Sequence, residues 1–296
     1  MDIKSGIKQG IKLVFGKRPV QLSANIVQLA PSELLKGRAA LITGGTSGIG
    51  FSIAEAMLNA GIGAVVITGR TEERCRDAVN RLLLSSESRA DRVYYKVIDN
   101  RKTETFQSDL VSVIELLGGG KKEPLQLSIL VNNAGVQGAQ FGFATEEEYD
   151  KVMDTNLKGV FFLSQLVGRY MVDNHIEGNI LNIASSSSLR PAANAYTLSK
   201  VGIKEFTEGM AKSLIPYGIV VNGLAPGPTA TPMLVKGENP NLYIPHNPLG
   251  RYALPEEIAN MAVILTSGLG RTIVGSIVYM TGGGATLTYE DVKYPF

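Results

Sequence analysis

Ala39-Ala40-Leu41-Ile42-Thr43-Gly44-Gly45-Thr46-Ser47-Gly48-Ile49-Gly50 is the stretch whose reading decides the fold. The apolar run from Ala39 to Ile42 suits a short buried strand. A glycine-rich turn follows at once, and Phe51-Ser52-Ile53-Ala54-Glu55-Ala56-Met57-Leu58 then has helical character. Glycines permit a tight turn and a close approach of backbone to ligand. A helix start also offers unpaired N–H groups to an anion such as a pyrophosphate. The spacing is Gly-x-x-x-Gly-x-Gly rather than Gly-x-Gly-x-x-Gly. The reading therefore rests on the order strand, turn, helix as much as on the glycines.

Working outward, short apolar runs recur as strand candidates. They are Ala64 to Thr68, Arg92 to Ile98, Leu127 to Val131, Gly178 to Ala184, Ile219 to Ala225 and Ser276 to Met280. Helical stretches lie between them, with Tyr149 to Tyr170 reading as one long helix or two abutting ones. Strands that alternate with helices predict an α/β fold with a parallel sheet.

Composition narrows the function classes. The chain has 296 residues, of which 44% are hydrophobic, enough for one large α/β domain or two small ones. A net charge of +2 indicates no global nucleic-acid footprint, and no nucleic-acid partner is expected. Cys75 is the sole cysteine, so no intrachain disulfide can form. With His175 and His246 as the only histidines, no metal site is expected. The start, Met1-Asp2-Ile3-Lys4, lacks the apolar stretch of a secretory signal, and cytoplasm is the expected setting.

Tyr196 and Lys200 stand at Tyr-x-x-x-Lys spacing in Asn194-Ala195-Tyr196-Thr197-Leu198-Ser199-Lys200. On a helix, residues four apart share a face. A neighbouring cation lowers a tyrosine pKa, which would make Tyr196 a proton donor and acceptor near neutral pH.

Thr43-Gly44-x-x-x-Gly48-Ile49-Gly50, Asn132-Asn133-Ala134-Gly135, Asn156 within Asp154-Thr155-Asn156-Leu157-Lys158-Gly159, the serines after Asn182-Ile183-Ala184 and the Tyr196–Lys200 pair occur in this order. Together they resemble the short-chain dehydrogenase/reductase family over about residues 38 to 285. Among its members, the 3-oxoacyl-acyl-carrier-protein reductases are the best-known look-alikes. The resemblance implies a Rossmann-type doubly wound sandwich, a seven-stranded parallel sheet flanked by helices. It also implies a ketone–alcohol oxidoreductase that uses a nicotinamide cofactor.

In that family the cofactor turn would be Gly44, Thr46, Ser47, Gly48, Ile49 and Gly50. An acidic residue at the end of the second strand would accept hydrogen bonds from the ribose of NAD. Gly69-Arg70 stands there instead, so Arg70 is expected to neutralise the 2′-phosphate of NADP, and NADPH is preferred over NAD. Ser47 occupies the position where many members carry a second basic residue. The resemblance further assigns Asp99 and Asn100 to the adenine, and Asn133, Ala134 and Gly135 to the adenosine side. A turn or helix cap competes for Asp99. After the sixth strand, Pro226 and Gly227 lead to Thr229 for the carboxamide and Thr231 for the diphosphate side.

The implied catalytic set is Asn156, Ser185, Tyr196 and Lys200. In it Tyr196 protonates the carbonyl oxygen, Ser185 holds that oxygen, and Lys200 depresses the tyrosine pKa and binds the nicotinamide ribose. Asn156 connects Lys200 to solvent through water. Ser185 and Tyr196 are 11 positions apart, a shorter loop than the family more often has, so Ser186 stands as an alternative. Steroid and sugar or polyol dehydrogenases share these motifs. A non-catalytic cofactor-binding regulator is the reading from another class.

Outside this core, residues 1–37 form an N-terminal extension and 286–296 a C-terminal tail. Ile3, Ile7, Ile11 and Val14 recur at helical spacing beside Lys4, Lys8 and Lys12. Packing on the chain's own domain or a sister subunit is favoured over contact of residues 1–18 with a membrane surface. Met233 to Asn247 is expected to be a substrate lid, its pocket lined by residues such as Met233, Leu234, Leu242, Tyr243 and Ile244. In the family the last strand often joins the interface of a homodimer or homotetramer.

Overall fold

A computed structural model describes residues 30–84, 90–118, 124–232 and 241–287. The expectations for residues 1–18, for the tip of the 117–124 loop, for Met233 and Leu234 and for most of the tail lie outside these residues.

Seven strands form one parallel sheet in the order β3-β2-β1-β4-β5-β6-β7. They are β1 (Ala39–Ile42), β2 (Ala64–Gly69), β3 (Val93–Val97), β4 (Leu127–Asn132), β5 (Asn179–Ile183), β6 (Val220–Pro226) and β7 (Ile277–Met280). Each lies within about a residue of its sequence expectation, because each is an apolar run bounded by turn residues, as strands of a parallel sheet covered by helices on both faces are.

The helices are α1 (Gly48–Asn59), α2 (Glu72–Leu84), α3 (Phe106–Gly118), α4 (Glu146–Met153), α5 (Gly159–Asp173), α6 (Ala195–Leu214) and α7 (Pro255–Thr266). One face of the sheet, with Ala40, Ile42, Val65, Ile67 and Val131, packs on Ile53 and Met57 of α1, Leu82 of α2 and Ile258 of α7. The other face, with Leu41, Val66 and Leu130, packs on Val113 of α3, Leu163 and Val167 of α5 and Met210 of α6. Burying each Leu, Ile or Val contributes about 1.5–3 kcal/mol.

A register shift between Ala39 and Ala40 against β4 leaves Ser128 beside the start of β1. Arg38 fills the spot. It donates to Ser128 Oγ at 2.9 Å, to the Ser128 carbonyl at 2.8 Å and to Asn179 Oδ1 at 2.9 Å, and reaches the Thr266 carbonyl at 3.4 Å. Burial lowers its pKa to about 10.

Leu35 is fully buried in the first core, and its N–H bonds to the Ala60 carbonyl at 3.0 Å. The chain therefore already packs on the sheet domain at residue 35. The stretch 149–170, read as one long helix or two abutting ones, is two helices joined by a π-helical turn, Asp154–Lys158. Thr145 and Glu148 close a reciprocal capping box that starts α4. Among the described residues, no helix is long and apolar enough to cross a membrane.

Candidate active site

The carboxyl ends of β1 and β4 are neighbours, and the helices that follow them pack on opposite faces of the sheet. That is the switch point where doubly wound sheets open a crevice. The two loops there are stitched together. Thr43 Oγ1 accepts the N–H groups of Asn133 and Ala134 at 3.0 and 3.1 Å. Asn133 Nδ2 donates to the Thr43 and Gly44 carbonyls, both at 3.0 Å. Its amide nitrogen thus holds the glycine-rich turn against the end of β4. The backbones are too close for a side chain: a Cβ at Gly44, where φ is 63°, would stand 2.9 Å from Ala134 Cα. Asn132, one residue earlier, ties β4 to Asn182 of β5 and to Ser164 of α5, at 2.8 Å each.

Ser47 precedes α1 in extended geometry, and its hydroxyl makes no capping bond. The first-turn N–H groups of Gly48, Ile49 and Gly50 therefore lack a side-chain cap. A Cβ at Gly48 would come within 3.2 Å of Thr231 Cγ2, which brings the segment after β6 over the helix start. In that segment Gly227 donates to the Met280 carbonyl at 2.9 Å and Pro226 ends β6. Thr229 is buried, with Oγ1 donating to the Gly227 carbonyl at 3.0 Å. Asn100 is buried at the end of β3, and its Nδ2 has no hydrogen-bond partner among the described residues. An uncapped helix start at a switch point and an orphaned donor nearby both fit a dinucleotide.

At the end of β2, Gly69 is followed by exposed Arg70. Asp99 lies in a turn that also engages its side chain. Arg101 engages its carboxylate with Nη2 at 2.6 Å, with Nε at 3.0 and 3.2 Å and with its backbone N–H at 3.1 Å. A residue two positions on closes this turn, the competing reading named above. The Arg101 hydrogen bonds hold the Asp99 carboxyl below its usual range, and Arg70 adds a smaller electrostatic pull.

Helix α6 starts where Asn194 Oδ1 accepts the Thr197 N–H at 2.7 Å. One turn in, Lys200 is buried and its Nζ donates to the Ile183 carbonyl at 2.7 Å. That Nζ lies 5.7 Å from the centroid of the Tyr196 ring. The π-helical turn carries Asn156 inward, where it is 1% exposed. Asn156 Oδ1 accepts the Val136 N–H at 2.8 Å, and Nδ2 donates to the Val136 carbonyl at 2.9 Å and to Ser199 Oγ at 3.1 Å. Ser199 in turn donates to the Tyr196 carbonyl at 2.7 Å. A Cβ at Gly135 would lie 3.5 Å from Asn156 Oδ1 and 3.8 Å from Lys200 Nζ. Amide, ammonium and glycine thus border one small space.

The two candidate serines differ in their surroundings. The Ser185 side chain acts on the Tyr196 phenol and draws its pKa down, whereas Ser186 begins the 3₁₀ turn Ser186–Leu189. Ser185 Oγ accepts the Ser187 N–H at 3.1 Å and meets Ser187 Oγ at 3.2 Å.

Electrostatics overturn one expectation. Burial raises the Tyr196 pKa, and the Ser185 side chain lowers it only in part. Lys200 does not produce the expected depression. Its Nζ is directed at the Ile183 carbonyl, and burial brings its own pKa down to about 8.

A bridge joins Gln140 to Asn194 at the mouth of the site. Phe141 N–H donates to the Ala193 carbonyl at 3.1 Å and Ala195 N–H to the Ala139 carbonyl at 3.0 Å. Ala139 adopts φ 59°, a left-handed conformation costly for a residue with a Cβ. Phe141 and Phe143 are exposed on this loop. Sequence reasoning missed Thr43 as the acceptor of the stitch, although its place ahead of the glycines was visible. It also missed Arg81 of α2, whose Nη2 donates to the Thr46 carbonyl at 2.7 Å. No local pattern links residues that far apart.

A crevice at the switch point, an uncapped helix start, and Tyr196, Ser185 and Lys200 close by suit an oxidoreductase that interconverts an alcohol and a carbonyl with NAD or NADP. The chain belongs to the short chain dehydrogenase family, whose model matches residues 38–241. It is 32% identical over 254 residues to 3-oxoacyl-acyl-carrier-protein reductase FabG of Aquifex aeolicus, covering 84% of this chain and 98% of that protein. Galactitol 2-dehydrogenase of Rhizobium johnstonii is 34% identical over 259 residues, covering 84% of this chain and 95% of that one. Among solved structures, levodione reductase superposes with a TM-score of 0.76 at 28% identity, covering 86% of this chain and 100% of that one.

Proposed function

We propose that the protein is an NADP(H)-dependent reductase of ketones, with Tyr196 as general acid and base, and that a 3-oxoacyl compound is its leading substrate class. The effect of the Ser185 side chain on the Tyr196 phenol carries this reading. Two neighbouring hydroxyls support a role in which one carbonyl oxygen accepts from both. The bound nicotinamide cofactor supplies the hydride in reduction. Tyr196 gives its proton to the oxygen as negative charge develops, and Ser185 stabilises that charge with a hydrogen bond. Lys200 holds the cofactor's ribose and, with Asn156, returns the proton to Tyr196 across the space beside Gly135.

The contacts at Gly44, Thr46, Ser47, Gly48, Ile49, Gly50, Asn100, Asn133, Ala134, Gly135, Pro226, Gly227, Thr229 and Thr231 are assigned to the cofactor. Arg70, with no carboxylate at the end of β2, supports NADP over NAD. Exposed Phe141 and Phe143 on the loop bridged to Asn194 support an apolar substrate over a polyol. We assign the protein to the cytoplasm and to a homo-oligomer.

NADPH oxidation over a panel of ketones of graded size and charge tests the reading. Turnover is expected on 3-oxoacyl thioesters, lost in Tyr196→Phe while NADPH still binds. Arg70→Asp is expected to raise the KM for NADPH far more than for NADH. Substantial reductase activity in Tyr196→Phe would refute the assignment of the general acid, and equal KM changes would refute the cofactor preference.

A further inference from the structure

We propose that Arg81 is a positioning residue for the glycine-rich turn, fixing the Thr46–Ser47 peptide so that the Ser47 N–H faces the phosphates of the dinucleotide. The proposal rests on the cofactor reading above and adds a residue outside its motifs.

Arg81 lies in the last turn of α2, and its guanidinium is held at three points. Nε pairs with Asp77 Oδ2 at 2.9 Å. Nη2 donates to the Thr46 carbonyl at 2.7 Å. Cζ sits 4.5 Å over the centroid of the Phe51 ring in the first turns of α1. The side chain thus joins the turn, the helix that follows it and its own helix.

A trans peptide points its C=O and the next N–H to opposite sides. With the Thr46 carbonyl drawn to Arg81, the Ser47 N–H is directed away from α2. The Thr46 side chain is seated as well: a Cβ at Gly69 would stand 2.6 Å from Thr46 Cγ2, so the methyl lies against the end of β2. Ser47 makes no side-chain cap, and the helix start therefore relies on backbone donors to meet an anion. Glycines at 45 and 48 flank this peptide and ease its rotation. Rotated by half a turn, it would present an oxygen to the phosphates in place of a donor.

Asp77 neutralises much of the Arg81 charge, so the role is orientation rather than attraction. That distinguishes it from Arg70. A pyrophosphate is common to both cofactors, so the loss of Arg81 acts on NADPH and NADH alike.

Fluorescence titration of the full-length protein with NADPH and with NADH reads this directly. Arg81→Met keeps the stem on Phe51 and removes every donor. It is expected to weaken both cofactors by the same factor, about tenfold, the scale of one charge-assisted hydrogen bond. Arg81→Lys, which restores one donor, is expected to recover most of the affinity, and kcat at saturating cofactor stays within about twofold of the wild type. Unchanged binding in Arg81→Met overturns the proposal. So does a loss confined to NADPH, which would make Arg81 a direct partner of the 2′-phosphate. Should Arg81→Met not fold, Arg81→Leu, which likewise has no donor, carries the same expectations. A wild-type protein that binds neither cofactor would instead overturn the cofactor reading itself.

Discussion

Lys200 shows what burial costs a single residue. Its ammonium would ordinarily titrate near 10.5 and does so near 8 inside the fold. The unfolded chain keeps this proton through the window between those values, while the folded chain has released it. Stability therefore rises with pH across the window. Lys200→Met lacks that group, so the wild type is expected to gain on the variant by up to roughly 3 kcal/mol between pH 8 and 10.5. Denaturant melts at several pH values measure the difference, and a flat difference would disprove it. The raised Tyr196 phenol has a kinetic counterpart. Protonated at neutral pH, it is ready to donate, so alcohol oxidation is expected to need higher pH than ketone reduction. Both residues were visible as a spacing in the sequence, but their titration was not. It depends on desolvation and, for Tyr196, on Ser185, and neither leaves a trace in a heptapeptide.

At the scale of elements, the π-helical turn does what an unbroken helix could not. The extra residue in Asp154–Lys158 turns Asn156 toward Val136 and Ser199 and lets α5 start against the end of β3. Gly159 makes the second contact possible, since a Cβ there would overlap the Asn100 carbonyl oxygen. Gly159→Ala is expected to push α5 outward at a cost of about 1–3 kcal/mol. Because Asn156 moves with that helix start, kcat should fall along with Tm, and a variant with full kcat would separate the two. The strands were legible because each is an apolar run ended by turn residues. A break within 149–170 was open to the sequence, but its π-helical form was not, because its residues are compatible with an ordinary helix and only packing against β3 and α6 selects the wider one. The same holds for the grip of Arg101 on the Asp99 carboxylate, which only the folded turn brings together. Ser185 was favoured by its place after Asn182-Ile183-Ala184, yet only the folded loop separates it from Ser186.

For the whole molecule, the two ends of the sheet have different tasks. The carboxyl ends of the strands hold the site, and the amino ends are tied by Arg38. That one side chain connects β1, β4, β5 and the end of α7. Arg38→Met would leave buried acceptors on three elements unsatisfied, and a loss of about 2–5 kcal/mol is expected. Activity per folded molecule should be unchanged, because the site is at the other end. Thermal melts paired with active-site titration test both halves, and a lower kcat in the folded fraction would contradict the division. The bridge from Gln140 to Asn194 has the opposite effect, merging two tasks. It bolts the aromatic rim of Phe141 and Phe143 to the capping residue of the helix that bears Tyr196. A natural lineage that retools this rim for a new substrate also disturbs the footing of its own acid. Selectivity and speed are therefore inherited together on this side of the cleft, and drift in one is checked by the other.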